Sequence, residues 1–180
     1  FCESKPIFSS HHTTTPMKIA LMHEMLVKLG WAEKVLEVWQ KMFPDAAIFT
    51  LMYDQKRVEN IFPKEKIQAQ CFSLPSQKCY SLTKKQRFSL PFMAKSAKKL
   101  DFSDYDIVLV SSSGFAHMIQ PWTAKTLVYY HAPARYLWDW THEYRREIRM
   151  HRWLRGFLYG TYLKMLRLQD REASDQHNIL

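Results

Sequence analysis

Residues 129–140 read YYHAPARYLWDW. Five aromatics, His131, Pro133, Arg135 and Asp139 fall within these twelve positions. Plain loops are built from Gly, Ser and Asn, so this stretch carries residues that are costly to expose and suited to recognition. Three further stretches concentrate chemistry. HEMLVKLGWAEK sets His23 and Glu24 ahead of Gly30. A glycine just before a helix lets a phosphate approach backbone N–H groups, although an ordinary turn uses the same residue. SSSGFAH offers the hydroxyls of Ser112 and Ser113 beside Gly114. These could hold a sugar or phosphate, or simply cap the next helix. With no G-x-S-x-G elbow in the chain, Ser112 is not read as a nucleophile. HEYRR, residues 142–146, opens like a zinc-protease helix, but Arg146 stands where the second histidine is required.

The elements around these stretches alternate. KIALMHE (18–24) is a short apolar run that reads as a first strand, buried on both faces. WAEKVLEVWQKMF places Val35, Leu36, Val38, Trp39 and Met42 at helical spacing, and Pro44 stops the helix. AAIFTLMY (46–53), KIQAQCF (66–72), YDIVLVSSS (105–113) and TLVYYH (126–131) read as four more strands, the last of them buried. From about Asp139 the pattern is helical. Strand and helix in alternation imply an α/β, Rossmann-like parallel sheet with helices on both faces. Ligands of such sheets bind beyond the carboxyl ends of the strands, where the chemistry-bearing stretches fall.

The chain of 180 residues is long enough for one domain with its own core. Its three cysteines form no CxxC pair, which argues against a disulfide scaffold or a zinc site. No apolar run reaches the roughly 18 residues a spanning helix needs. The net charge of +9 calls for an anionic partner. Lys84, Lys85, Arg87, Lys95, Lys98 and Lys99 surround Phe88, Leu90, Phe92 and Met93. Arg145, Arg146, Arg149, Arg152 and Arg155 surround Trp153, Phe157 and Tyr159. Both patches suit an anionic membrane surface, and the first equally suits a solvated basic face over a core helix. The second also suits nucleic acid, but no nucleic-acid-binding signature accompanies it. Residues 1–16, which include His11 and His12, lack periodicity and the features of a signal peptide. They are expected to be a disordered or non-native tail, with the folded part starting at Met17.

Four segments in this order resemble the amino-terminal half of the family 4 glycosyltransferases, which have the two-domain GT-B fold. KIALMHEMLVKLGWAEKVLEVWQKMFPDAAIFTLMYD resembles the family's opening, with His-Asp-x-Leu, Gly-Gly-Ala-Glu and a helix ending at Phe-Pro. FSDYDIVLVSSSGFAHMI resembles its Tyr-Asp-hydrophobic-Ser-Ser-Ser strand. YYHAPARYLWDWTHEY resembles its His-x-Pro-x-Arg-Tyr-x-Trp-Asp segment, and LRLQDREASD its Asp-Arg-x-Ala-Asp helix.

The resemblance implies retaining transfer of a sugar from a nucleotide-sugar donor to a glycan or lipid-linked acceptor, with no metal and no other cofactor. It implies that residues 17–180 form the acceptor-side domain, with the donor domain absent from this chain. The isolated chain is then expected not to catalyse alone. By position, the resemblance puts His131 near the transferred sugar as the catalytic residue and Gly30-Trp31 in the donor-phosphate loop. His23, Glu24, Ser112, Ser113, Gly114, Pro133, Arg135, Tyr136, Trp138 and Asp139 would line the acceptor cleft. Lys84, Lys85, Arg87, Lys95, Arg145, Arg149, Arg152 and Trp153 would face the membrane, at the cytoplasmic side of a cell membrane. Two departures stand out: Trp31 replaces the second glycine, and Glu24 replaces aspartate. Trp31 either obstructs the phosphates or packs inward beneath the helix, and obstruction is the expectation here. The alternative from another class is a non-catalytic module that binds a glycan, a membrane or a partner.

Overall fold

The computed structural model describes residues 16–69, 90–120, 123–132, 137–138 and 152–176, without the side chains of 90–92, 152–159 and 176. Five strands form one parallel sheet: β1 (Ile19–Leu26), β2 (Ala47–Tyr53), β3 (Ile67–Ala69), β4 (Ile107–Ser112) and β5 (Lys125–Tyr130). Their order is β3-β2-β1-β4-β5. The described helices are α1 (Trp31–Met42), α2 (Gln55–Val58), α3 (Leu90–Ala97) and α4 (Arg152–Gln176). This is the Rossmann-like α/β architecture expected from the alternating pattern.

The near-continuous apolar runs of β1, β2 and β4 follow from burial on both faces of a parallel sheet. Alternate residues feed two cores. Leu21, Ile48 and Leu109 meet Leu36 of α1, together with Val58 and Phe62. Ala20, Met22, Phe49, Val108 and Val110 meet Met93 and Ala97 of α3 and Leu163, Leu166 and Ala173 of α4. Helices therefore cover both faces.

Two expectations need correction. Of the apolar positions in α1, Leu36 is fully buried, but Val38 and Met42 are 55% and 63% exposed. The face turned to the sheet carries Leu36 between Glu33 and Gln40. Glu33 is bonded to the Gly30 N–H, and Gln40 Nε2 donates to the carbonyls of Phe43 and Pro44, while Gln40 Oε1 is buried with no partner among the described residues. Strand β5 is also not fully buried. Its residues alternate between exposed and half-buried, with Leu127 and Tyr129 open to solvent. It lies at the end of the described sheet and pairs there with β4 alone.

The register creates an opening. The pairing of β1 with β4 ends at His23↔Ser111, while the pairing of β1 with β2 continues to Leu26↔Tyr53. So β1 runs on past its β4 neighbour, and the ends of the two strands mark where a ligand crevice would lie. In this strand order the chain turns opposite ways on either side of that gap, which is where open α/β sheets bind ligands.

Candidate functional site

His23 and Glu24 are residues of β1 itself, not of the loop after it, because the strand extends to Leu26. His23 lies beside Ser111 of β4, and its Nδ1 is 3.0 Å from the Ser111 carbonyl oxygen and 3.1 Å from Ser111 Oγ. A carbonyl only accepts, so Nδ1 carries the proton. On the other side of the ring, Nε2 is 3.8 Å from Glu33 Oε1, an ion-pair distance. Ser111 Oγ continues to His131 Nε2 at 2.8 Å, just past the end of β5. The line Glu33–His23–Ser111–His131 therefore crosses from the start of α1 over the ends of β1, β4 and β5.

The two histidines are tuned in opposite directions. Burial disfavours a charged His23, but Glu33, Glu24 and the Ser111 carbonyl together outweigh it and raise its pKa above the usual histidine value. Glu33 answers with a lowered pKa. Its burial opposes ionisation, but His23 and the Gly30 N–H overcome that penalty. His131 is lowered by burial and then by the neighbouring His23 charge, against the weaker pull of Glu24 and Glu33. A neutral His131 accepts the Ser111 hydroxyl proton at Nε2 and carries its own proton on Nδ1. That Nδ1 has no hydrogen-bond partner among the described residues.

Glu24 joins the crevice from the next position. Its Oε1 accepts the Ser113 N–H at 2.7 Å and the Ser113 hydroxyl at 2.6 Å. Its Oε2 is buried with no hydrogen-bond partner among the described residues. A buried acceptor left unmade costs about 1–3 kcal/mol, so Oε2 is suited to receive a donor from a ligand.

Gly30 caps α1 with an extended backbone, φ −115°. Any residue adopts that conformation, so space sets the requirement: a Cβ there would come within 2.9 Å of Glu33 Oε2. The Gly30 N–H is already bonded to that oxygen at 2.8 Å, so an anion must displace Glu33 to reach it. Trp31 is 84% exposed, with Lys34 Nζ 4.9 Å from its ring centre. It does not pack beneath the helix.

Ser112, one residue from Ser111, faces the opposite side of the sheet. Its Oγ is 3.0 Å from His117 Nδ1, and His117 Nε2 is 3.1 Å from Asp170 Oδ1 of α4. Trp138 Nε1 donates to Asp170 Oδ2 at 3.0 Å, and Arg167 lies over the Trp138 ring. The structure thus places the buried Ser112 and the exposed Trp138 in a second cluster, apart from His23, Glu24, Ser113 and His131. Pro133, Arg135, Tyr136, Asp139, Lys84, Lys85, Arg87, Arg145 and Arg149 lie outside the described residues, as do the side chains of Arg152 and Trp153. Lys95 is exposed.

Sequence reasoning missed Ser111, Glu33, His117 and Asp170. Glu33 had a signal, since a Glu three residues after an N-cap is half of a capping box. Ser111 was legible as the position of like parity to His23 in a neighbouring strand, once strand order was known. His117 and Asp170 meet only in three dimensions. No group of three His, Cys, Asp or Glu among the described residues is placed to hold a metal ion. No described helix is long and apolar enough to cross a membrane.

Comparison with protein-family models, with curated proteins and with solved structures finds no match to this chain.

Proposed function

We propose that the crevice between β1 and β4 is the acceptor-side half of the site of a retaining glycosyltransferase. The observation that carries this reading is the convergence at one switch point of Glu24, Ser113, His23, Ser111 and His131, two of them with a polar atom that has no hydrogen-bond partner among the described residues. A sugar presents hydroxyls that both donate and accept. Glu24 Oε2 would accept one hydroxyl proton, and the His131 Nδ1–H would donate to another oxygen. Ser111 and His23 hold the His131 ring and fix its tautomer, so that the donor is set before a ligand arrives. The four sequence segments that resemble the glycosyltransferase family support the same reading, and the family's nucleotide-sugar donor would enter past Gly30 and Trp31.

A second reading, glycan binding without transfer, draws on the Glu33 carboxyl that occupies the Gly30 N–H. An incoming diphosphate would have to expel it.

Calorimetric titration with oligosaccharides and with nucleoside-diphosphate sugars separates the two. The transferase reading expects oligosaccharide to bind the chain itself and nucleotide-sugar to bind once a donor domain is fused to it, and Glu24→Gln and His131→Ala each to weaken oligosaccharide binding about tenfold, the worth of one good hydrogen bond to a charged or buried group. Glycan binding with no response to any nucleotide-sugar selects the second reading. No binding of either contradicts both.

A further inference from the structure

We propose that the β1–α1 loop, with the outward side of α1, docks into an anionic lipid surface. Leu29 is 51% exposed and Trp31 84% exposed, two large apolar side chains within three residues. Lys28 and Lys34 beside them are exposed. Arg57 reaches the same loop and donates to the Val27 carbonyl at 3.4 Å. The acid closest in sequence, Glu33, is turned inward to Gly30 and His23. Asp54 is paired with Arg57 at 3.3 Å. The outward side of the loop is therefore apolar at its centre and cationic around it.

The apolar line continues along α1. Val38 and Met42 stand seven and eleven residues after Trp31, on the same helical side, and both are exposed. A helix with this arrangement lies in the plane of a headgroup layer, its lysines reaching the phosphates while the indole sits at the interface. A platform for stacking a sugar would account for Trp31 but not for Leu29, Val38 and Met42. The cationic rim complements an anionic surface and selects lipid as the occupant. This surface is separate from the basic stretches 84–99 and 145–155. The proposal does not rest on sugar transfer, and its test contains no sugar.

The test is co-sedimentation of the whole chain with phosphatidylcholine vesicles, with and without phosphatidylserine. Binding is expected to require phosphatidylserine and to weaken with salt. The pair Lys28→Ser and Lys34→Ser should lower affinity about fivefold per lysine. The pair Leu29→Ser and Trp31→Ser should lower it roughly tenfold or more through lost apolar insertion. Brominated phospholipid should quench tryptophan emission in the native chain, and less in Trp31→Phe, which keeps an apolar ring at the position. Three results would overturn the proposal: full affinity in both loop variants, equal binding to neutral vesicles, or a lipid-free oligomer that the loop variants dissociate. Loss of binding in Lys84→Ser, Lys85→Ser, Arg87→Ser with the loop variants unaffected would also overturn it, by assigning the membrane contact elsewhere.

Discussion

Ser111 and Ser112 are consecutive residues of one strand, and each hands its hydroxyl to a histidine on its own side of the sheet. On the α1 side Ser111 bonds His131 at 2.8 Å, with His23 and Glu33 behind it. On the α4 side Ser112 bonds His117, which meets Asp170. The residue types are nearly the same, yet the surroundings differ. His117 is 3% exposed; its Nδ1 bonds Ser112 Oγ, and its Nε2 lies 3.1 Å from Asp170 Oδ1 without hydrogen-bond geometry. His131 is half-buried, and its Nδ1 has no hydrogen-bond partner among the described residues. Asp170 is further tied to Trp138, and Ser174 Oγ donates to the Asp170 carbonyl. The sealed cluster pins α4 to the end of β4. The open one ends at the carboxyl ends of the strands, at the half-buried His131. A serine, a histidine and an acid within bonding distance thus do not by themselves define a reactive site; access and one unfilled position do.

The largest expected effect breaks the sealed side. Asp170→Ala removes the acceptor of the exposed Trp138 indole N–H and the carboxylate beside the buried His117 ring, and should cost about 1–2 kcal/mol. His131→Ala, at a half-exposed position, should cost under about 1 kcal/mol. Urea denaturation of the two variants measures the contrast, and equal losses would erase the distinction drawn between the clusters.

The next effect is on titration. His23 should titrate above the ordinary value of 6.5 and His131 below it, read from ring resonances by NMR. Glu33→Gln should bring His23 down, because the carboxyl is the leading influence that raises it. The sign for stability follows from linkage. The His23 contribution is complete below 6.5 and fades as pH rises through the raised folded value. The Glu33 contribution is complete above 4.5 and fades as pH falls through the lowered folded value. His131 acts against His23: below 6.5 the unfolded chain takes up the proton more readily, so its effect is to lower stability as pH falls. Melting curves of Glu33→Gln against the native chain should differ most between pH 4.5 and 6.5, where the Glu33–His23 pair is charged on both sides.

The smallest effect concerns Trp31. An indole 84% exposed supports nothing beneath it, so Trp31→Gly should shift stability by no more than about 0.5 kcal/mol. Obstruction of the phosphate approach then predicts tighter nucleotide-sugar binding in that variant, checked by the same calorimetry. A large drop in melting temperature would show that the loop depends on Trp31 after all.

The sheet and α1 were legible in the sequence because both-face burial leaves long apolar runs and because Pro44 ends the helix. The carboxyl ends of the strands were legible through the topological rule, which brought forward His23, Glu24, Ser113 and His131. Other features were hidden for physical reasons. The inward side of α1 carries Glu33 and Gln40, polar residues with local bonds that no hydropathy pattern reports. The exposure of β5 depends on what lies beside it, and its own residues read as a buried strand. Trp138 sits in a segment that resembles a cleft wall, but its indole N–H goes to Asp170, a partner 32 residues away in sequence.

On the proposed function, one of the two histidine clusters meets ligand and the other does not. Histidine ring resonances followed during titration with an oligosaccharide distinguish the two. His131 and His23 should move with saturating shifts while His117 stays still, and Glu24→Gln should reduce the response. Movement of His117 with His131 and His23 silent would contradict that proposal.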